Sequence, residues 1–156
     1  MAAPAKNPQS LPGVRLKIKK IERSASIDAA DCGTVFMVKN QSGSDTGCVI
    51  TLPSLAAAGV GWHCKFVNAT NSTINSGQLE HDVRIQADSG ADIMAVHTVD
   101  GAGSSAIAAG TPPQTRVDFN GGNASVHGDW LEVWTDGIYW YGEAWGGADA
   151  SWSISA

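Results

Sequence analysis

Three groups of residues in this chain have types and spacings that enzymes use. The first is a pair of Asp-x-Gly tripeptides, Asp45-Thr46-Gly47 and Asp88-Ser89-Gly90. Aspartic-protease chemistry needs two such aspartates sharing a proton. Ser44 precedes the first tripeptide and Ala87 the second. Neither has the apolar flanks of a buried catalytic loop, so both read as turns. The second group, Gly101-Ala102-Gly103-Ser104-Ser105-Ala106, fits G-x-G-x-x-A. A dinucleotide site there requires a following helix whose N-terminus faces the pyrophosphate. Gly110 and Pro112-Pro113 stop any such helix, so the segment reads as a loop. The third group is four histidines and three cysteines. His63, His81, His97 and His127 form no i, i+4 pair of the kind a helical zinc site uses. Cys32, Cys48 and Cys64 form no CxxC pair and read as free, buried thiols of a reducing compartment. No G-x-S-x-G elbow occurs, and no Cys–His pair with an orienting group is visible in the sequence. We expect no enzyme, no cofactor and no metal site.

Aromatic residues are the remaining candidates. Trp130, Trp134, Tyr139, Trp140, Tyr141, Trp145 and Trp152 crowd the last part of the chain. They suit either a sugar-binding platform or core and subunit contacts, since aromatic rings supply the largest buried area per residue. Packing is the expected role, with Trp130, Trp134, Tyr139 and Trp140 as the core and trimer-contact aromatics.

Strands must position these residues. Period-two alternation or short apolar runs mark residues 14–19, 34–39, 48–52, 62–67, 83–87, 93–99, 116–119, 130–134, 138–141 and 151–154. Asp136-Gly137 between two aromatic runs reads as the type I′ turn of a hairpin. Only Ser54–Ala58 has helical character. Residues 100–115 are small and loop-like. Asn68-Ala69-Thr70, Asn71-Ser72-Thr73 and Asn123-Ala124-Ser125 fit glycosylation sequons but read as polar turns, since the first residues lack a secretory h-region. The pattern predicts an all-β domain over residues 24–156, an antiparallel sandwich or barrel of jelly-roll type.

The 156 residues are 43% hydrophobic and 16% charged, with a net charge of −5. That size suits one domain, and the low charge excludes a coiled coil or a charged disordered chain. Residues 1–23 hold six of the ten basic residues and one acid, so a cationic leader precedes an acidic body. The acidic body disfavours nucleic acid. No apolar run is long enough to span a membrane as a helix. Pro4, Pro8 and Pro12 favour an extended arm. Lys6, Val14, Arg15, Leu16, Lys17, Ile18, Lys19 and Lys20 are the residues expected to anchor it, disordered in the free chain and ordered on a partner.

The order of the pieces resembles a known pattern. Ala29-Ala30-Asp31-Cys32-Gly33-Thr34-Val35-Phe36 is followed by Val49-Ile50-Thr51-Leu52-Pro53-Ser54, by Ala58-Gly59-Val60-Gly61-Trp62, and by Phe66-Val67-Asn68. Gly128-Asp129-Trp130 then opens a closing hairpin that runs through Asp136-Gly137 to Trp140-Tyr141. Over residues 27–142 this is similar to the trimeric β-rich domains of tailed-phage capsid decoration (cement) proteins and of head and tail fibres. The resemblance implies a homotrimer on the outer capsid surface of a virion, made in the host cytoplasm. Its partner would be the major capsid protein. A receptor-binding fibre domain, or a carbohydrate-binding module for a host surface glycan, are the alternatives.

Overall fold

A computed structural model describes residues 16–39, 47–70, 81–89, 94–99, 101, 105–108, 114–122, 124–148 and 150–155. The chain enters β1 (Lys17–Ile21), β2 (Ala25–Ser26) and a 3-10 turn (Ala29–Asp31), then β3 (Thr34–Val38) and β4 (Cys48–Thr51). The turn α1 (Leu55–Ala58) leads to β5 (His63–Asn68), β6 (Val83–Gln86), β7 (Met94–Val99) and β8 (Ser105–Ala108). It ends with β9 (Arg116–Phe119), β10 (Trp130–Thr135), β11 (Trp140–Trp145) and β12 (Trp152–Ser155). Ser54 starts α1 as an N-cap, its hydroxyl accepting from the Ala57 amide.

Two sheets pack face to face. One has seven strands in the order β1-β3-β5-β10-β11-β7-β8, and the other five in the order β12-β9-β6-β4-β2. Alternate residues of each strand point inward. Phe36, Phe66, Leu131, Val133 and Trp140 from the larger sheet meet Ile50, Val83, Ile85, Val117 and Phe119 from the smaller. Phe36 stacks on Phe66 at 5.2 Å, and Trp62 meets Trp140 edge-on at 5.4 Å.

The all-β sandwich is therefore present, but its pairing is mixed rather than antiparallel. Among the described strands, five pairs are parallel and five antiparallel. From β1 to β6 the chain changes sheet at every step. Each return enters a sheet from the same end, so β1, β3 and β5 lie parallel, as do β2, β4 and β6.

Three local expectations need correction. The expected 100–115 loop contains β8, whose backbone pairs with β7 and gains its hydrogen bonds there despite small, weakly strand-forming residues. The hairpin loop is four residues long, because Thr135 pairs with Trp140. Asp136 closes it by accepting from the amides of Ile138 and Tyr139, both at 2.8 Å, and Gly137 takes φ 88°. The expected arm, residues 1–23, includes β1, which pairs with β3 as an edge strand of the larger sheet.

Candidate functional site

The two outward faces of the sandwich differ in chemistry. On the five-stranded sheet, Arg116, Gln86, Thr51 and Ser26 form one cross-strand row, and Ser153, Asp118, Arg84 and Val49 another. Arg84 Nε lies 3.1 Å from Asp118 Oδ1, and Arg116 Nε 3.7 Å from Oδ2. Burial pushes the Asp118 carboxyl above its ordinary value, outweighing both arginines. This face satisfies itself.

The outward face of the seven-stranded sheet is aromatic. Its first row is Val67, Trp130, Trp145 and Val99, and its third is His63, Trp134, Tyr141 and Ala95. Between them runs Lys65, Glu132, Glu143 and His97. Val35 and Met37 on β3 and Ile18 on β1 extend the apolar surface toward one edge. Trp134 is 41% exposed, Trp145 48% and Ile18 60%. Lys65 sits 3.7 Å over the Trp130 ring and 4.0 Å from Glu132.

A groove of about 380 Å³ opens on this face between Trp134, Tyr141, His97 and Glu143, with Gly142 at its floor. The Trp134 and Tyr141 rings lie 6.4 Å apart and nearly parallel. Tyr141 Oη donates to Asp136 Oδ2 at 2.9 Å, which fixes the ring. The Tyr139 and Ile138 amides hold the Asp136 carboxyl below its ordinary value, and the bond to Asp136 raises the Tyr141 phenol. A methyl on Gly142 would come within 3.1 Å of the Glu132 carbonyl and 3.2 Å of Val96. On the hairpin loop Ile138 and Tyr139 are also exposed, as is Val60 beside it.

The expected site residues divide. Trp140 is core, Trp130 is partly buried on the outer face, and Trp134 and Tyr139 are exposed. Lys6, Val14 and Arg15 lie outside the described residues. Leu16 and Ile18 are exposed, and Lys20 shares their side of the edge strand. Lys17 and Lys19 turn the other way, and both bridge Asp31, at 3.0 and 2.5 Å. Burial raises the Asp31 carboxyl, but the bonds from Lys19 and Lys17 outweigh it and hold the group below its ordinary value. Two of the expected anchoring cations are therefore engaged within the chain.

Asp45 and Thr46 lie outside the described residues, as does Gly90. The G-x-G-x-x-A segment meets strand β8 where a dinucleotide site would need a helix. His127 Nδ1 lies 2.8 Å from the Thr70 carbonyl. Among the described residues, no three His, Cys, Asp or Glu side chains gather into a metal cluster. Cys48 and Cys64 are buried, and burial pushes both thiols up. Cys32 departs from the expectation of buried thiols, because it is exposed. Its Sγ lies 3.8 Å from His63 Nδ1.

Sequence reasoning missed that contact because His63 adjoins Cys64, not Cys32. Neighbouring strand residues point to opposite faces, so Cys64 turns into the core and His63 outward. The signal that identifies the pairing is the β3–β5 register, with Thr34 opposite Cys64 and the Gly33 amide donating to the His63 carbonyl at 2.8 Å. No protein-family model matches the chain, and no curated protein matches it in sequence.

Proposed function

We propose that this chain is a capsid decoration protein of a tailed phage, which assembles as a homotrimer through its aromatic sheet face and binds the major capsid protein. The observation that carries the reading is the contrast between the two outer faces, one polar and internally paired, the other rich in exposed tryptophan. From strand spacing and rise, seven strands of about six residues present a face of roughly 30 by 20 Å. That is on the scale of one side of a stable protein interface, about 800 Å² per partner. A face of that size, with exposed tryptophans on either side of a central charged row, suits an interaction surface that is aromatic and partly polar. The phage-like pattern over residues 27–142 gives the partner class.

The mechanism is mass action. A trimer that binds the assembled shell and not free subunits stabilises the shell in proportion to its occupancy. Three linked contacts act at high effective concentration. The residues available for the shell contact include Leu16, Ile18 and Lys20. The test is to mix purified protein with mature heads that lack it and to pellet the heads. Saturable binding with increased heat resistance of the heads is expected. No binding, or binding at the tail alone, would overturn the reading.

The groove beside Trp134 and Tyr141 favours a second reading, a glycan-binding module. Aromatic rings with a carboxylate and an imidazole at the rim suit a sugar ring. A chain that stays monomeric and loses oligosaccharide binding on Trp134→Ala would establish it.

A further inference from the structure

We infer that Cys32 and His63 form an exposed thiol–imidazole pair that takes up a low-molecular-weight disulfide by thiol–disulfide exchange. The strand register brings together two residues 31 positions apart. Cys32 follows the 3-10 turn, its amide donating to the Ala29 carbonyl at 3.4 Å. The Trp62 indole also holds that carbonyl, at 2.8 Å, which ties the turn to the start of β5. His63 Nδ1 lies 3.2 Å from the Gly61 carbonyl and 3.8 Å from Cys32 Sγ. The ring is thus located by the backbone beside the sulfur.

The surroundings favour reaction at this thiol alone. Cys48 and Cys64 are buried, so an external disulfide reaches neither in the folded chain. The charged groups beside the pair are Asp28, which caps the 3-10 turn, and Asp31 with its two lysines. They sum to zero, so no strong local field of either sign excludes a charged disulfide. Trp134 stands opposite His63 in the register, which puts the thiol at the rim of the aromatic face.

The exchange balances without any net oxidant beyond the disulfide. Solvent takes the Cys32 thiol proton, the His63 Nδ1–H that the Gly61 carbonyl orients donates to the resulting thiolate, and Sγ attacks one sulfur of the incoming disulfide. A new sulfur–sulfur bond forms, the old one breaks, and the leaving thiolate takes a proton from solvent. The products are one mixed disulfide and one free thiol.

The test uses the full chain with glutathione disulfide, followed by intact-mass spectrometry and peptide mapping. One adduct is expected, on Cys32, and none on Cys32→Ser. At pH 6.5 the rate should fall about tenfold in His63→Phe, in line with loss of a positioned donor to the thiolate, and His63→Gln, which keeps an N–H donor, should lose less. At pH 10, where thiols ionise unaided, the variants and the parent should converge. Circular dichroism and melting temperatures identical to the parent would show the variants folded, as suits an exposed residue. An adduct on Cys48 or Cys64 instead, no adduct, or a rate at pH 6.5 equal to the parent's in folded His63→Phe would overturn the inference.

Discussion

Asp129 ties its own loop to the one that follows β11. It is 1% exposed, and its carboxylate accepts from the Ser125 hydroxyl at 2.9 Å, the Val126 amide at 2.9 Å and the Gly147 amide at 2.8 Å. Asn68 interlocks with it, donating to the Val126 carbonyl and accepting from the Thr70 amide. These are the Asp of Gly128-Asp129 and the Asn of Phe66-Val67-Asn68 in the sequence pattern over residues 27–142. The pattern's residues thus serve the fold, as caps, turns and buried ties. Asp129→Ala leaves these largely buried donors without their acceptor and should cost about 3 kcal/mol in urea unfolding. Asp31 gives a pH test. Its folded carboxyl lies below the ordinary value of 3.8, so its contribution is full above that value and is lost as pH falls through the folded value. The stability gap between the parent and Asp31→Asn should stay constant from pH 7 down to about pH 4 and shrink below it. Taking the difference cancels the opposing behaviour of Asp118.

At the scale of elements, strands were legible because alternation survives without knowledge of partners. Residues 83–86 alternate, and residues 34–38 form the short apolar run that marks a buried strand. The strand-by-strand change of sheet from β1 to β6 was not legible, since pairing is set by contacts far apart in sequence. The side that each aromatic takes was equally hidden. In Trp130-Leu131-Glu132-Val133-Trp134 both faces carry large apolar groups, so alternation cannot tell core from surface. The structure puts Leu131 and Val133 inside and Trp134 outside. The hairpin loop gives an element-level prediction. Gly137→Val forces a β-branched residue to φ 88° and brings its Cβ within 3.1 Å of Val60. A loss of about 2 kcal/mol is expected, read as a lower melting temperature. The edge strand gives another. Removing residues 1–20 strips most of β1 and uncovers β3 as a new sheet edge, so aggregation is expected on size exclusion. Removing residues 1–15 spares β1 and should leave the fold intact, with no aggregation on the same column.

For the whole molecule, the sandwich has one polar, internally paired face and one face with exposed tryptophans. Glu132 and Glu143 stand directly opposite on the aromatic face, an arrangement that destabilises a sheet unless cations are near. Lys65 serves Glu132, and Glu143 lies between Glu132 and His97 in the row. The central claim is that this face joins copies of the chain. Light scattering on size exclusion at micromolar concentration tests it most directly, with the parent beside the Trp134→Ser, Trp145→Ser double variant. The parent should run at three times the 16.2 kDa chain mass, and the folded double variant at one. A parent at a single chain mass, or a double variant that remains a trimer, would contradict it.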